Sequence, residues 1–584
     1  MHGIPRRTLV WLMALLVVGL VLPGAATLAQ EATPATDDAS PVAEGEATTS
    51  ITRDEFYEEL FAAYPFEEPQ NEGGTIIWAQ TNDISTVNAL LTSDLPTAYV
   101  TGMIFEGLVG GSPIDGAPVP GLADYWDISA DGLTYTFHLN QDATWHDGID
   151  FTAEDVVFTF DIALAEDSPN PRRGIIDPLL ASYRAVDEHT FEMVARDRFA
   201  TFVQDTAGQF GIMPKHLWEG IAPADWPNDP GSTGQDPSRV VGTGPFTFVE
   251  WRQGESVTVA KNENYWDPVS IPVVDEVVMP ILPDPATEVE ALMAGEIDIV
   301  EVIPAPQVEE VQNTEGLEVA LFPDLGFGFY GFNLDPEKTT LFQDKEVRQA
   351  LFIAIDKEAI KDNIYLGYGE VPRGTQPIPS PGYDPEAIED PFTYDLDRAR
   401  ELLASAGWED TDGDGIVEKD GQPLAFTLLT SSGGGATIDQ VLAELQQTWR
   451  EIGVDMQPSL VDFPSLVETI TVTFDFEVVL LGFSWTADGG QGAMFACDSY
   501  GNAFNFMRYC SEEWDALEDL QLRELDPEAR AQLLIQQSQI AWDDQPVGIF
   551  RFGTNRTGYT DRLHNYFPTT FAQYWSFPFV WISE

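Results

Sequence analysis

The sequence predicts an α/β protein with more than one domain. Segments with the pattern of buried strands, such as FEVVLLGF (476–483), alternate with helical patterns such as EVRQALFIAIDKEAI (346–360). About 510 residues remain after an N-terminal leader and tether, which is too many for one hydrophobic core. Hydrophobic residues make up 43% of the chain and aromatic residues 11%. This composition is typical of globular domains.

The first residues resemble an export signal. Two arginines precede an apolar run from Leu9 to Leu22, and small residues continue through Ala29. The run is short for a membrane span, which needs about 20 residues. We therefore predict a signal peptide over 1–29, cleaved after Ala26 or Ala29. An uncleaved signal anchor is the alternative.

Residues 30–72 predict a disordered tether that contains one short helix. Residues 30–50 are rich in Ala, Thr, Pro and acidic residues and poor in large apolar ones, so they cannot form a core. Within 51–64, Thr52 followed by Glu55 has the spacing of a capping box, and the apolar residues that follow favour an amphipathic helix.

Residues 131–160 predict a strand, a turn and a capped helix. Apolar and polar residues alternate from Leu133 to Leu139, as a strand buried on one face requires. Asp147 and Gly148 then form a turn signal. Thr152, with Asp155 three residues later, marks a helix start ahead of an apolar stripe.

The order of residues in this segment resembles the "DG-x-YTF-x-L…W/F-H-DG…TAEDV" pattern of extracytoplasmic solute-binding proteins. These are the receptors of the dipeptide, oligopeptide and nickel type that feed ABC importers. Further segments resemble the same family in the same order, from about residue 73 to the C-terminus: EGL (106–108), PGLADYW (120–126), GTGPFTFVEW (242–251), NENYW (262–266), LMAGEIDIV (292–300), 331–356 and 394–408.

The resemblance implies a two-lobed, periplasmic-binding-protein-like α/β fold of type II, in its large class with an extra N-terminal subdomain. Lobe I would comprise 73–324 plus 553–584, with the subdomain near 102–208. Lobe II would comprise 325–552. The implied function is capture of a peptide or similar small solute in a cleft between the lobes, followed by delivery to the permease subunits of an ABC importer. The receptor would be a monomer and not an enzyme.

One carboxylate is the main ligand-binding candidate. The buried strand 478–483 runs into a polar loop, which is where α/β folds place ligand groups. In peptide-binding members of the family, a W-x-x-D stretch here supplies the aspartate that pairs with the peptide ammonium. The resemblance therefore implies that Asp488 binds the ammonium and that Trp485 and Thr486 contribute to the ligand site. A loop aspartate that caps the next turn is the alternative.

The other end of a bound peptide is expected to differ from that in dipeptide-binding relatives. Those proteins place an arginine after the strand matched by 424–430, whereas this chain has Ser431–Thr437 there and no arginine before Arg450. Ser and Thr do not replace a bidentate arginine. Gly434 and its small neighbours would leave room for a longer peptide or for a ligand without a terminal carboxylate.

The resemblance also implies a backbone grip on the peptide from an extended segment in lobe I. The matching residues are 91–94, including Thr92 and Ser93. An ordinary loop is the alternative.

Charge and motifs exclude several functions. The chain has 97 acidic and 28 basic residues, a formal charge of −69 at pH 7, which excludes nucleic acid as a partner and disfavours anionic membranes. Such a surface fits solubility in a saline or acidic habitat. The six histidines are scattered, and HExxH, GxSxG and phosphate-loop motifs are missing from the sequence. A secreted hydrolase and a receptor for an oligosaccharide, nickel complex or opine remain the alternatives.

Cys497 and Cys510 are the only cysteines. An even count in an exported chain predicts a disulfide, with two free thiols or a metal pair as the alternative. Dipeptide-binding relatives have a similar cysteine loop in this region. Since no cysteine stands directly after the apolar run of the leader, the lipid anchor common in such receptors is not expected.

Residues 410–421 contain the first half of a calcium loop. Asp410, Asp412 and Asp414 alternate, and Ile416 is placed to offer a carbonyl oxygen. The twelfth position is Gly421 instead of the usual bidentate glutamate. A structural calcium ion is one interpretation, and an Asp/Gly-rich turn is the other. No other cofactor is expected.

Overall fold

The structure is a computed structural model that describes residues 47–501 and 503–583. These residues divide into two compact units, a larger one (47–322 with 555–583) and a smaller one (323–554, of which 502 is not described). The unit boundaries fall at 322/323 and 554/555, whereas the sequence placed the lobe boundaries at 324/325 and 552/553. The predicted leader and the first part of the predicted tether lie outside the described residues.

The strands, in chain order, are β1 (Thr48–Thr49), β2 (Thr75–Ile77), β3 (Val109–Gly111), β4 (Pro118–Pro120), β5 (Ala123–Ile128), β6 (Thr134–Leu139), β7 (Leu180–Asp187), β8 (Thr190–Ala195), β9 (Phe246–Arg252), β10 (Ser256–Lys261), β11 (Glu276–Pro280), β12 (Ile299–Val300), β13 (Leu317–Phe332), β14 (Glu418–Lys419), β15 (Gln422–Pro423), β16 (Ala425–Ser431), β17 (Asp455–Val461), β18 (Val478–Ser484), β19 (Val547–Thr560), β20 (Leu563–His564) and β21 (Trp581–Ile582).

The α-helices are α1 (Arg53–Ala63), α2 (Leu95–Ile104), α3 (Ala153–Leu164), α4 (Arg173–Leu179), α5 (Phe202–Thr206), α6 (Lys215–Trp218), α7 (Pro285–Met293), α8 (Val308–Gln312), α9 (Lys345–Ile353), α10 (Lys357–Ala359), α11 (Leu396–Ser405), α12 (Gly435–Glu451), α13 (Phe463–Glu468), α14 (Gly492–Phe495), α15 (Glu512–Gln521) and α16 (Pro527–Asp544). Within the described residues, none of the helices is both long enough and apolar enough to span a bilayer.

The larger unit contains a five-stranded sheet in the order β1-β5-β6-β8-β7 and a four-stranded sheet in the order β2-β11-β10-β9. Strand β6 confirms the strand predicted within residues 131–160. Its residues Tyr135, Phe137 and Leu139 are buried, and the residues between them are partly exposed. This alternation allows one face of the sheet to pack into the core.

The helix predicted within 51–64 is confirmed as α1, which is part of the larger unit, and since β1 pairs with β5 the described part of the predicted disordered tether is folded. Thr52 and Glu55 form a capping box, in which the Thr52 amide donates to the Glu55 carboxylate at 2.8 Å. Arg53 bonds Asp124 at 2.9 Å and Asp267 at 3.2 Å. These ion pairs hold α1 against Asp124 of β5 and against Asp267 in the segment after β10.

The smaller unit is built around the sheet order β19-β13-β18-β16-β17, and β12 pairs with the far end of β19. The predicted strand at 478–483 is confirmed as β18. Strand β16 runs parallel to both β17 and β18, whereas β13 runs antiparallel to β18. Parallel neighbours end at the same edge of a sheet, so the segments after β16 and β18 emerge together.

Candidate functional site

The loop after β18 is anchored in the core of the smaller unit by Trp485. The indole ring is only 3% exposed and stacks on Phe327 with ring centroids 4.6 Å apart. Its Nε1 donates to the Thr375 carbonyl at 2.9 Å. Trp485 therefore positions the loop from inside the core.

Asp488, the predicted ammonium ligand, already forms an ion pair. Arg530 of α16 donates from Nη2 to the Asp488 carboxylate at 3.1 Å and from Nη1 to its backbone carbonyl at 2.8 Å. The Thr486 hydroxyl donates to the other carboxylate oxygen. The two charged side chains are 18% and 11% exposed. The carboxylate therefore has a fixed orientation and a compensated charge.

Buried side-chain amides also hydrogen-bond to this loop and to the neighbouring segment. Gln491 donates to the Thr375 carbonyl at 2.9 Å and accepts from the Thr375 hydroxyl at 2.7 Å. Gln376 donates to the Gly489 carbonyl at 2.8 Å. Because every one of these polar groups is buried, moving the loop would leave several of them without partners.

Gly434 follows the neighbouring parallel strand β16 and emerges at the same sheet edge as Asp488. It is exposed and directly precedes α12. A Cβ atom here would lie 2.6 Å from the Ile438 side chain, so the position favours glycine. The structure thus places Gly434 and Asp488 at one edge of one sheet.

The predicted residues of the larger unit lie in a turn. Leu91 ends a 3₁₀ turn, and residues 92–94 lead from it into α2; they pair with no strand among the described residues, and the Asp94 backbone is extended (φ −134°, ψ 158°). Thr92 is buried, and its carbonyl accepts from the Arg172 guanidinium, while Ser93 is exposed. Thr92 and Arg172 line a cavity of about 460 Å³ within this unit.

Two family segments meet at a buried glutamate on the same cavity. The carboxylate of Glu106, from the EGL segment, accepts from the Tyr265 hydroxyl at 2.7 Å and from Trp266 Nε1 at 2.9 Å, both from the NENYW segment. Burial raises the pKa of Glu106. These hydrogen bonds connect the segment before β3 with the segment after β10.

Two other family segments meet at His146. Its Nδ1 accepts from the Gly242 amide at 3.2 Å, and its Nε2 lies 2.9 Å from the Gly244 carbonyl. Burial lowers the pKa of His146 to about 4. At neutral pH the histidine is therefore uncharged. Its hydrogen bonds connect residues 131–160 with the segment GTGPFTFVEW (242–251).

The candidate calcium residues are only partly brought together. Asp410 and Asp412 lie close to Glu418, with one oxygen of each carboxylate within 4.8 Å of the others. Asp414 instead accepts from the Ile416 amide at 2.8 Å, and Glu418 was not among the predicted ligands. The antiparallel bridge between Glu409 and Glu418 closes the loop and returns Glu418 to the aspartates.

The two cysteines form the predicted disulfide, with Cα atoms 4.4 Å apart. It closes the segment that follows α14. Because Asn505 donates to the carbonyls of Ala496 and Tyr509, each next to a cysteine, hydrogen bonds reinforce the same closure.

A family model described as bacterial extracellular solute-binding proteins, family 5 Middle, matches residues 117–505. The chain is 28% identical over 502 residues to the oligopeptide-binding protein AppA of Bacillus subtilis (strain 168), covering 85% of this chain and 90% of that protein. It is 28% identical over 450 residues to heme-binding protein A of Haemophilus influenzae, covering 73% of this chain and 77% of that protein.

Among solved structures, the chain is similar to AppA from Bacillus subtilis in complex with a nonapeptide. The TM-score is 0.69 at 26% identity, over 88% of this chain and 100% of that chain. This likeness confirms the predicted α/β fold class of two-lobed periplasmic binding proteins.

Proposed function

The chain belongs to family 5 of the bacterial extracellular solute-binding proteins, and we propose that it is an exported, monomeric receptor that captures a peptide for an ABC importer. It delivers the peptide to the permease and catalyses no reaction itself. One relative supports the solute class: AppA of Bacillus subtilis is named as oligopeptide-binding, and its structure was solved in complex with a nonapeptide.

The Asp488 carboxylate is the observation that supports a peptide most directly. An ionised carboxylate offers about four lone-pair sites. Arg530 and Thr486 each occupy one, and the Gly490 amide approaches a third at 3.3 Å. The remaining site would accept a peptide ammonium. Because Arg530 compensates the charge, this site would select by hydrogen-bond geometry more than by net attraction.

The surroundings favour a peptide longer than two residues. Gly434 and the small residues before α12 present no cation to a ligand carboxylate, so the carboxylate terminus of a bound peptide need not lie there. For the larger unit by itself, we propose that the exposed Ser93 contacts a ligand, whereas the Thr92 carbonyl already accepts from Arg172. Trp485 and Thr486 act by holding Asp488 in place.

Calorimetric titration with a synthetic nonapeptide, its truncations and their N-acetylated forms tests the proposal. Asp488→Asn is expected to weaken binding of the free-amino peptides at least tenfold, about 1.4 kcal/mol. It should leave the acetylated peptides unaffected. Asp519→Asn, an exposed change of the same chemistry on α15, is the matched control.

Two results would refute parts of this proposal. If wild-type protein binds free and acetylated peptides equally, Asp488 does not recognise an ammonium. If no peptide of any length binds, a peptide is the wrong solute class. Native mass spectrometry of protein purified without refolding would then identify a non-peptide solute, the second candidate, which the heme-binding relative supports.

We also propose a structural calcium ion in the loop after α11. Asp410, Asp412 and Glu418 would supply its carboxylate oxygens, a ligand type that suits this hard cation. Asp414 is not part of this group of carboxylates, so neither it nor the Ile416 carbonyl is assigned to the proposed ion.

A further inference from the structure

A second, smaller cavity of about 240 Å³ lies in the larger unit and is lined by two glutamates. Glu288 from α7 and Glu301, which follows β12, face it together with Ala79, Thr81, Pro285, Val302 and Pro304. Strands β2 and β12 both lead into it, since Trp78 and Ile299 pair in parallel. The cavity therefore lies where two parallel strand ends meet the first turn of a helix.

Glu288 is a buried carboxylate that lacks a hydrogen bond. Its side chain lines the cavity, the residue is only 3% exposed, and among the described residues its Oε1 has no hydrogen-bond partner. A buried polar atom normally has a hydrogen-bond partner, and leaving such an atom without a hydrogen bond costs about 1–3 kcal/mol. An oxygen in this position indicates a missing donor.

Glu301 is the second carboxylate of the cavity. It accepts from the Tyr99 hydroxyl at 2.5 Å, and burial raises its pKa. The pKa of Glu288 is raised to about 7 by burial first, then by the charges of Glu301 and Asp284. The charged neighbours that raise the pKa of Glu288 are thus both acidic.

We propose that this cavity binds the ammonium group of a primary alkylamine, with Glu288 and Glu301 as its two carboxylate acceptors. An ammonium group supplies three N–H donors and a positive charge. One donor would satisfy Glu288 Oε1, and the charge would offset the repulsion between the glutamates.

The remaining walls select the alkyl part of the ligand. Ala79, Pro285, Val302 and Pro304 are apolar and would contact a short methylene chain. The walls offer few oxygens besides the two carboxylates, whereas an inorganic cation such as Ca²⁺ takes six to eight oxygen ligands. A lysine side chain or a small free amine has the required chemistry. The proposal does not depend on whether the transported solute is a peptide.

The test measures binding of n-butylammonium chloride to the full-length protein by calorimetry and thermal shift at about pH 8. Glu288→Gln keeps the side-chain shape and removes the charge, and it is expected to weaken binding at least tenfold. Glu290→Gln, an exposed change on the same helix, is expected to bind as wild type does. Glu301→Gln provides a second loss-of-charge variant should Glu288→Gln fail to fold.

Comparison ligands distinguish the proposed occupant from others. n-Butanol and sodium butyrate should bind at least tenfold more weakly than the amine, because they lack the charge or reverse it. The proposal is overturned if n-butanol binds equally well, if potassium or sodium chloride gives the same response at equal ionic strength, or if Glu288→Gln retains wild-type affinity.

Discussion

Acidification is expected to destabilise the larger unit through one histidine, His146. The imidazole lies between two backbone groups of the GTGPFTFVEW segment. The Gly242 amide donates to Nδ1, and Nε2 donates to the Gly244 carbonyl. Protonation would place a second N–H on Nδ1, directly against the Gly242 amide. The tautomer follows from these hydrogen-bond partners.

The sign and size of the effect follow from the pKa. The folded-state pKa is about 4, below the ordinary value of 6.5, because burial disfavours the charged ring. The unfolded chain therefore takes up the proton first as the pH falls. The stabilisation is complete above about pH 6.5 and is lost below it. The full shift corresponds to about 3 kcal/mol, of which about 2 kcal/mol is lost on going from about pH 7 to about pH 5.

His146→Gln isolates this contribution, because glutamine can keep a donor near the Nε2 position and does not titrate. Urea unfolding followed by pulsed hydrogen exchange at the β6 amides reports on the larger unit alone, which matters because two units need not unfold together. The difference in unfolding free energy between wild type and variant should fall by about 2 kcal/mol between about pH 7 and about pH 5.

An independent readout is the imidazole NMR titration of histidine-labelled protein, with the His146 resonance assigned by its loss in His146→Gln. Its midpoint should lie near pH 4. A midpoint near the ordinary value of 6.5, or wild-type and variant stabilities that fall in parallel with pH, would refute the reasoning.

Replacing Cys497 and Cys510 together by serine should lower the unfolding free energy of the smaller unit by about 3 kcal/mol, the loop-closure entropy of a loop this size, and urea unfolding would show it. Arg530→Gln should cost about 2–3 kcal/mol by leaving a half-buried carboxylate without its cation, and much less when Asp488→Asn is already present; additive costs in this double-mutant cycle would contradict the ion pair. Calcium at about 100 times its dissociation constant should stabilise the wild type by about 2.7 kcal/mol in a thermal-shift assay, reversibly with EDTA, and should not stabilise Asp410→Asn.

The elements that could be predicted from the sequence are those decided by near neighbours. The alternation in β6 and the capping box of α1 depend on residues within a few positions of each other. The strand β18 could also be predicted, because its apolar run is short and contains β-branched and aromatic residues, which favours a strand over a helix. Local periodicity and capping rules apply before any tertiary contact forms.

The site could be predicted only as far as the loop that carries it. Arg530 lies 42 positions after Asp488, and no local pattern links them. Burial of Trp485 against Phe327 likewise results from the pairing of β13 with β18. These contacts come from the fold of the smaller unit, so residue types and spacing alone could not reveal them.

The candidate calcium loop shows how a spacing rule identifies only some of the carboxylates that meet, because the rule assumes one backbone conformation. Alternating positions point to one ion only in one loop geometry. Here Asp414 lies outside the group of carboxylates, and the bridge between Glu409 and Glu418 brings Glu418 next to Asp410. Glu418, the carboxylate found in place of Asp414, lies eight positions after Asp410 and belongs to no recognisable motif.

The formal charge of −69 does not determine which carboxylates can bind a cation. Exposed carboxylates are hydrated and screened over about 8–10 Å at physiological salt, so their sum affects mainly encounter rates. Local compensation decides binding. Asp488 is compensated by Arg530 and offers a directional acceptor, whereas buried Glu288 has acidic neighbours and an oxygen without a donor. If ammonium recognition followed net charge, neutralising any acidic residue should weaken it similarly. Local compensation instead predicts that Glu288→Gln and Glu290→Gln, which change the net charge equally on one helix, differ at least tenfold in amine affinity.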